Sequence, residues 1–167
     1  MIQIQEKDLI AASQKGMDDF LNTFSNAYLE AIGNNLSETS MSMLNGYQHT
    51  LLAFRFFTDE IRDGGFVQLI QNGYGPYIFD NPFAKAIRQF GAKDLSKLIY
   101  RAKEIYDANR KELERETTDE EFTAMYVDFE VFDELEETYF EIEEEQTAII
   151  ASYVDDHISD FAEIIKD

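Results

Sequence analysis

From Leu44 through Tyr47, Leu51, Phe54 and Thr58 to Ile61, core-type side chains recur every three or four positions, and the run stops at Gly64-Gly65. That spacing is the period of an α-helix. Leu52, Phe56 and Phe57 widen the stripe until the helix is apolar around much of its circumference, as in helices buried at the centre of a domain. Arg55 and Asp59 fall at i,i+4 on its remaining polar side. A glycine pair between two apolar runs marks a backbone path that a Cβ would obstruct. The polar neighbours Glu60, Gln68 and Asn72 are expected to satisfy backbone groups freed where the helix breaks.

The flanking sequence extends the helical pattern. Residues 6–32 read as one helix, with Met17, Phe20, Phe24, Tyr28 and Ile32 on a common face, and Ser37 or Thr39 can cap the next. Beyond the glycines, Phe66 to Asn72 allows two helical turns, and Gly73-Tyr74-Gly75-Pro76-Tyr77 is a turn by composition. Further helices are predicted over 82–90 and 93–112, the latter with a basic outer side, and after a cap at Thr117 or Thr118. The last long run uses Phe132, Leu135, Tyr139, Ile142, Gln146, Ile149 and Tyr153, and a short tail helix spans 158–165. No segment shows convincing strand alternation. The expectation is one all-α domain over residues 1–167, with about seven to nine helices and the 44–63 helix at its centre.

Charge is distributed very unevenly. Residues 1–111 carry 13 acidic and 12 basic side chains, whereas residues 112–167 carry 21 and 2, giving a net charge of −20. Such a field repels nucleic acids and anionic membranes and attracts basic surfaces. On the last long helix Glu130, Asp133, Glu134, Glu137, Glu141, Glu144 and Glu145 form a second stripe, roughly opposite Leu135, Ile142 and Ile149. Like charges at i,i+4 cost about 0.2–0.5 kcal/mol per pair, so the stripe is tolerable either as a solvated face or as a docking surface for a basic partner. Carboxylates at this spacing lie about 5–6 Å apart. DNA likewise carries regularly spaced negative charge.

Nothing in the chain spells out a reaction. There is no cysteine, and His49 and His157 are far apart in sequence. No carboxylate pair is singled out as an acid/base dyad, and no G-x-S-x-G elbow occurs. Gly64-Gly65 and Gly73-x-Gly75 match neither phosphate-binding fingerprint. No catalytic residue, cofactor or metal ligand is expected. The N-terminus lacks a basic start followed by an apolar run, and no apolar stretch approaches the length of a membrane span, so a soluble cytoplasmic protein is expected.

The run Leu51-Leu52-Ala53-Phe54, followed by Glu60-Ile61-Arg62-Asp63-Gly64-Gly65-Phe66-Val67-Gln68-Leu69-Ile70-Gln71-Asn72, resembles the DNA mimic protein 19 family, also called domain of unknown function 4375. Gly91-Ala92, Phe132 to Tyr139, and Tyr153 to His157 with Phe161 extend the likeness over about residues 45–165. Asp63 replaces the family's usual Asn, and Leu69 its common Phe. The resemblance implies an all-helical, non-enzymatic domain that allows homodimers, with Glu60, Gly64, Gly65, Phe66, Gln68 and Asn72 as a structural motif. It also implies acidic members that imitate DNA and occupy a transcription regulator. The leading expectation is therefore an acidic binding protein whose partner is a basic DNA-binding regulator. One alternative is an immunity-type inhibitor of a basic toxin or nuclease. Another is a small-ligand module or enzyme at Glu60, Gln68, Asn72 and the tyrosines of the following turn.

Overall fold

The computed structural model describes residues 1–167. It contains β1 (Gln3–Gln5), α1 (Glu6–Lys15), α2 (Met17–Ala31), α3 (Glu38–Met41), α4 (Gly46–Asp63) and α5 (Gly65–Gln71). A single π-helical turn over Pro76–Asp80 follows, then α6 (Phe83–Gln89), α7 (Lys93–Ala108), α8 (Arg110–Glu114), α9 (Asp119–Asp128), α10 (Val131–Asp156), α11 (Ile158–Phe161) and β2 (Glu163–Ile165). The chain is all-α in class, with eleven α-helices and one π turn rather than seven to nine helices. No helix is long and apolar enough to cross a membrane.

The extra elements come from breaks that periodicity does not report. Residues 6–32 form two helices because Gly16 takes φ +140, a conformation that L side chains rarely adopt. The 93–112 run divides at Asn109, whose side chain donates to the Ile105 carbonyl and whose backbone leaves the helical region. The tail helix ends at Phe161, and the chain then extends into β2. β2 pairs in parallel with β1, Ile4 opposite Ile164, and three-residue strands about 160 positions apart leave no local sequence signal. By contrast, α3 and α9 start at capping boxes built on Ser37 with Ser40 and on Thr118 with Glu121. Asn45 and Gln48 exchange an equivalent pair of bonds at the start of α4.

The chain divides into two compact units, residues 1–55 with 147–167, and residues 56–146, so α4 and α10 each contribute to both. In the first unit the chain ends are held around Phe161. Its ring is fully buried and meets Phe24, Tyr47 and Tyr153 edge-on. Its carbonyl accepts hydrogen bonds from the Tyr28 hydroxyl at 2.8 Å and the Gln48 amide at 3.0 Å. The second unit is built on an aromatic cluster. Phe66, the residue after the glycine pair, stacks on Phe132 and meets Phe57, which also packs against Tyr139 and Phe83. In this cluster the Tyr139 hydroxyl is buried and makes no hydrogen bond of good geometry, although Arg62 and Glu143 lie beside it, and burial foremost pushes its pKa up.

Two buried tyrosines thus carry hydroxyls in opposite circumstances. Tyr28→Phe is expected to lower stability by about 1 kcal/mol, since it removes a made bond to a backbone carbonyl. Tyr139→Phe removes an unmade one and is expected to be neutral or stabilising. Urea denaturation of the two variants checks both signs.

Candidate partner-binding face

α10 is the element on which the site is built, and its residues 131–146 do two different things. Phe132, Leu135 and Tyr139 on the inner side are buried in the aromatic cluster. Two polar side chains on the same helix also reach inward, and each accepts a hydrogen bond from the first turn of another helix. Glu136 Oε2 accepts from the Phe66 amide at 3.1 Å, at the start of α5. Gln146 Oε1, the one polar break in the apolar series, accepts from the Leu95 amide at 3.1 Å, at the start of α7. The first amides of a helix have no partner within it, so α10 supplies what these two helices lack.

The Glu136 contact explains the glycine pair. Gly65 has φ +87, and a Cβ there would stand 2.5–2.6 Å from the Glu136 carboxylate. Both the backbone angle and the close approach therefore require glycine. The Gly64 carbonyl at the same bend accepts from the Tyr126 hydroxyl at 2.9 Å. These are the partners of the broken backbone. Glu60, Gln68 and Asn72, expected in that role from sequence, bond one another instead. Gln68 donates to Glu60 at 2.9 Å and to Asp63 at 2.8 Å, and Asn72 donates to Glu60 at 2.9 Å. The signal for Glu136 lay in its step of three from Tyr139, on the flank of the apolar stripe, but its partner is 70 residues away.

Beside the bend, Asp59, Glu60, Arg62, Asp63 and Gln68 line a shallow polar depression of about 470 Å³. The two amide hydrogens of Gln68 are already spent on Glu60 and Asp63, and Arg62 pairs with Glu143 at 3.2 Å. The negative potential of this corner acts on its tyrosines. Burial first, then Glu60 and Asp59, push the Tyr74 pKa up. Burial, then Glu136, Asp63 and Glu60, do the same to Tyr126. His49 bonds the Met41 carbonyl, His157 stacks on Tyr153, and no three His, Asp or Glu side chains converge to hold a metal ion.

The outer side of α10 is different in kind. Glu130, just before the helix, and Asp133, Glu134, Glu137, Glu141, Glu144 and Glu145 on it are all exposed. Glu134 alone among the seven has a cationic neighbour, Arg101 at 4.0 Å. Glu136 and Glu143, which the three-four spacing leaves out of the stripe, are the two that are partly buried and bonded inward. From Asp133 to Glu145 the ridge runs about 18 Å along the helix axis. Phe140, 54% exposed, continues the row Asp133, Glu137, Phe140, Glu144 at helical spacing.

A family model described as DMP19-like protein matches residues 42–157, from just before α4 to the end of α10. The chain belongs to the DMP19-like family. DNA mimic protein DMP19 of Neisseria meningitidis serogroup B (strain ATCC BAA-335 / MC58) is similar to it, 34% identical over 145 residues that cover 86% of this chain and 87% of the relative. The DMP19-like segment therefore includes both the glycine bend with its Glu136 anchor and the acidic ridge.

The bend and its anchor make separable predictions. Gly65→Ala is expected to destabilise by about 1–3 kcal/mol from the backbone angle alone, measured by thermal or urea unfolding. Burial raises the Glu136 pKa, Asp133 adds to this, and the Phe66 amide opposes it. With the folded pKa raised, the native state holds its proton to higher pH than the unfolded chain. The favourable contribution is then fully present below the unfolded pKa and is lost as pH rises through the folded one. Glu136→Gln keeps an acceptor without the charge, so it is expected to be at least as stable as the parent at pH 7, with the difference vanishing in acid. Glu136→Ala leaves the amide unpaired and should cost about 1–3 kcal/mol at any pH.

Proposed function

We propose that this protein is a non-enzymatic DNA mimic, which occupies the nucleic-acid-binding surface of a basic regulator through the acidic outer side of α10. The observation that carries the reading is the ridge itself. Six exposed carboxylates stand on about 18 Å of one helix, a seventh lies just before it, and only one of the seven has a cation beside it. A ridge that served only solubility would gain from interleaved lysines, which relieve repulsion between like charges at i,i+4. Here that relief is absent, and a partner rich in Lys and Arg supplies it. The similarity to a protein named as a DNA mimic supports the same reading.

The chemistry of such a complex is charge placement. A DNA-binding groove presents cations aimed at phosphates, and fixed carboxylates meet them without the sugar and bases. The inner contacts of α10 hold the helix to α5 and α7, so its carboxylates are presented on a rigid rod rather than a flexible acidic tail. The protein itself is repelled by nucleic acid, in keeping with its net charge of −20.

The test uses a panel of purified DNA-binding regulators from the source cell, mixed with the full chain and followed by calorimetry. A cognate regulator should bind with an affinity that falls steeply between 50 and 200 mM salt, in the way phosphate contacts do. Its operator duplex should displace the protein competitively. A complex indifferent to both salt and duplex DNA would overturn the mimicry reading. A complex with a basic toxin or nuclease, blocked by substrate, would move the protein to the inhibitor class.

A further inference from the structure

Next to the acidic ridge stands a surface of the opposite sign. α6 and α7 together carry six cationic side chains and three acidic ones, while the remaining residues carry eight and 31. Lys93, Lys97 and Arg101 follow one another at i, i+4 and i+8 along α7, and all three are exposed. Arg101 reaches Glu134 of the ridge at 4.0 Å, with both side chains more than half exposed. The Leu95 amide, at the start of α7, donates to Gln146, so α7 runs antiparallel to α10 and its cation row follows the ridge. The side chains of Lys93 and Lys97 make no ion pair and no hydrogen bond. Even the neighbouring acids of α7, Asp94 and Glu104, hold neither of them.

We propose that Lys93, Lys97 and Arg101 form the specificity edge of the partner-binding face. They meet carboxylates that flank the cationic groove of the regulator, and they repel DNA-binding proteins whose cations spread beyond that groove. The inference rests on the reading of α10 as a DNA mimic and names the further chemistry that its partner must have. Duplex DNA is negative along both strands. A surface that copied only this sign would draw any DNA-binding protein, and discrimination among such partners takes a repulsive element. The cation row is that element. It lowers the attraction of every purely basic surface and rewards only one that places anions opposite α7.

Distance and burial agree with this role. Packed helices lie about 8–10 Å apart, and the screening length is about 10 Å at 0.1 M salt. A protein seated on the ridge therefore feels the row, whereas its approach from afar is governed by the net charge of −20. The fold does not need the two lysines, whose exposed side chains hold nothing in place. Lys103 differs, since it is committed to Asp107 at 2.8 Å.

The test compares the full chain with the triple variant Lys93→Gln, Lys97→Gln, Arg101→Gln, which takes the net charge from −20 to −23. Calorimetry at about 0.1 M salt follows binding to octalysine, a uniformly cationic probe, and to a panel of purified DNA-binding regulators from the source cell. The variant should bind octalysine about threefold more tightly, because three repelling charges are gone. It should bind the regulator that the parent binds and whose operator displaces it about fivefold more weakly, because three charge contacts are lost. Affinity for the other regulators of the panel should rise with that for octalysine. The double variant Lys93→Gln, Lys97→Gln keeps the Arg101–Glu134 contact and should show the same opposite signs at reduced size, so the result does not hang on the folding of the triple variant. If the parent is displaced by operator DNA and the variants bind that regulator as tightly or more tightly, this inference falls and the mimicry reading stands. If the parent binds no regulator of the panel in competition with DNA, the mimicry reading falls and the specificity edge falls with it.

Discussion

The first amides of a helix have no acceptor of their own, and in residues 56–146 the side chains of α10 provide one for two helices at once. Glu136 takes the Phe66 amide and Gln146 takes the Leu95 amide. The Phe66 bond can form only because Gly65 carries no Cβ, which would otherwise meet the carboxylate. Phe66 is thereby delivered into the stack with Phe132 and Phe57, so the glycine bend, the buried acid and the aromatic cluster form one construction. The same helix then has a second side free to carry charge.

Holding a helix rigidly by its inner side makes its outer side useful. Carboxylates on a disordered tail would attract a basic surface too, but they would have to be ordered on binding. On α10 the spacing of the charges is set by the fold itself. Burying one acid, Glu136, at the start of α5 costs desolvation, visible in its raised pKa. That cost is confined to the inner side, while the acids of the outer side remain hydrated.

Much of this was legible in the residues, and the reasons divide by range. The helix expected over 44–63 and found over 46–63, its stop at the glycine pair, the cap at Thr117 or Thr118, which falls on Thr118, and the two stripes of the last long helix are local patterns, read directly from a three-four period or a capping signature. Gly16 and Asn109 broke helices that the same period had joined, because a stripe can continue in register across a kink. The paired strands carry no local pattern, because their signal is their partnership, at opposite ends of the chain. Glu60, Gln68 and Asn72 were tied to the bend by proximity in sequence, but the acceptor there is Glu136, and no local rule reaches across 70 residues. The π turn was legible as a turn only, since nothing in Gly-Pro-Tyr distinguishes its hydrogen-bond pattern.

The central claim is that α10 keeps its structural contacts on the inner side and leaves the outer side to the recognition proposed for it. The combined variant Glu137→Gln, Glu141→Gln, Glu144→Gln and Glu145→Gln tests this most directly, with thermal stability and affinity for a cognate DNA-binding regulator measured on one preparation. The account predicts a melting temperature equal to or above the parent's, because like-charge repulsion is removed. It also predicts that affinity falls at least tenfold and loses most of its salt dependence. A variant that unfolds, or one that stays folded and binds the regulator as tightly as the parent, would contradict it.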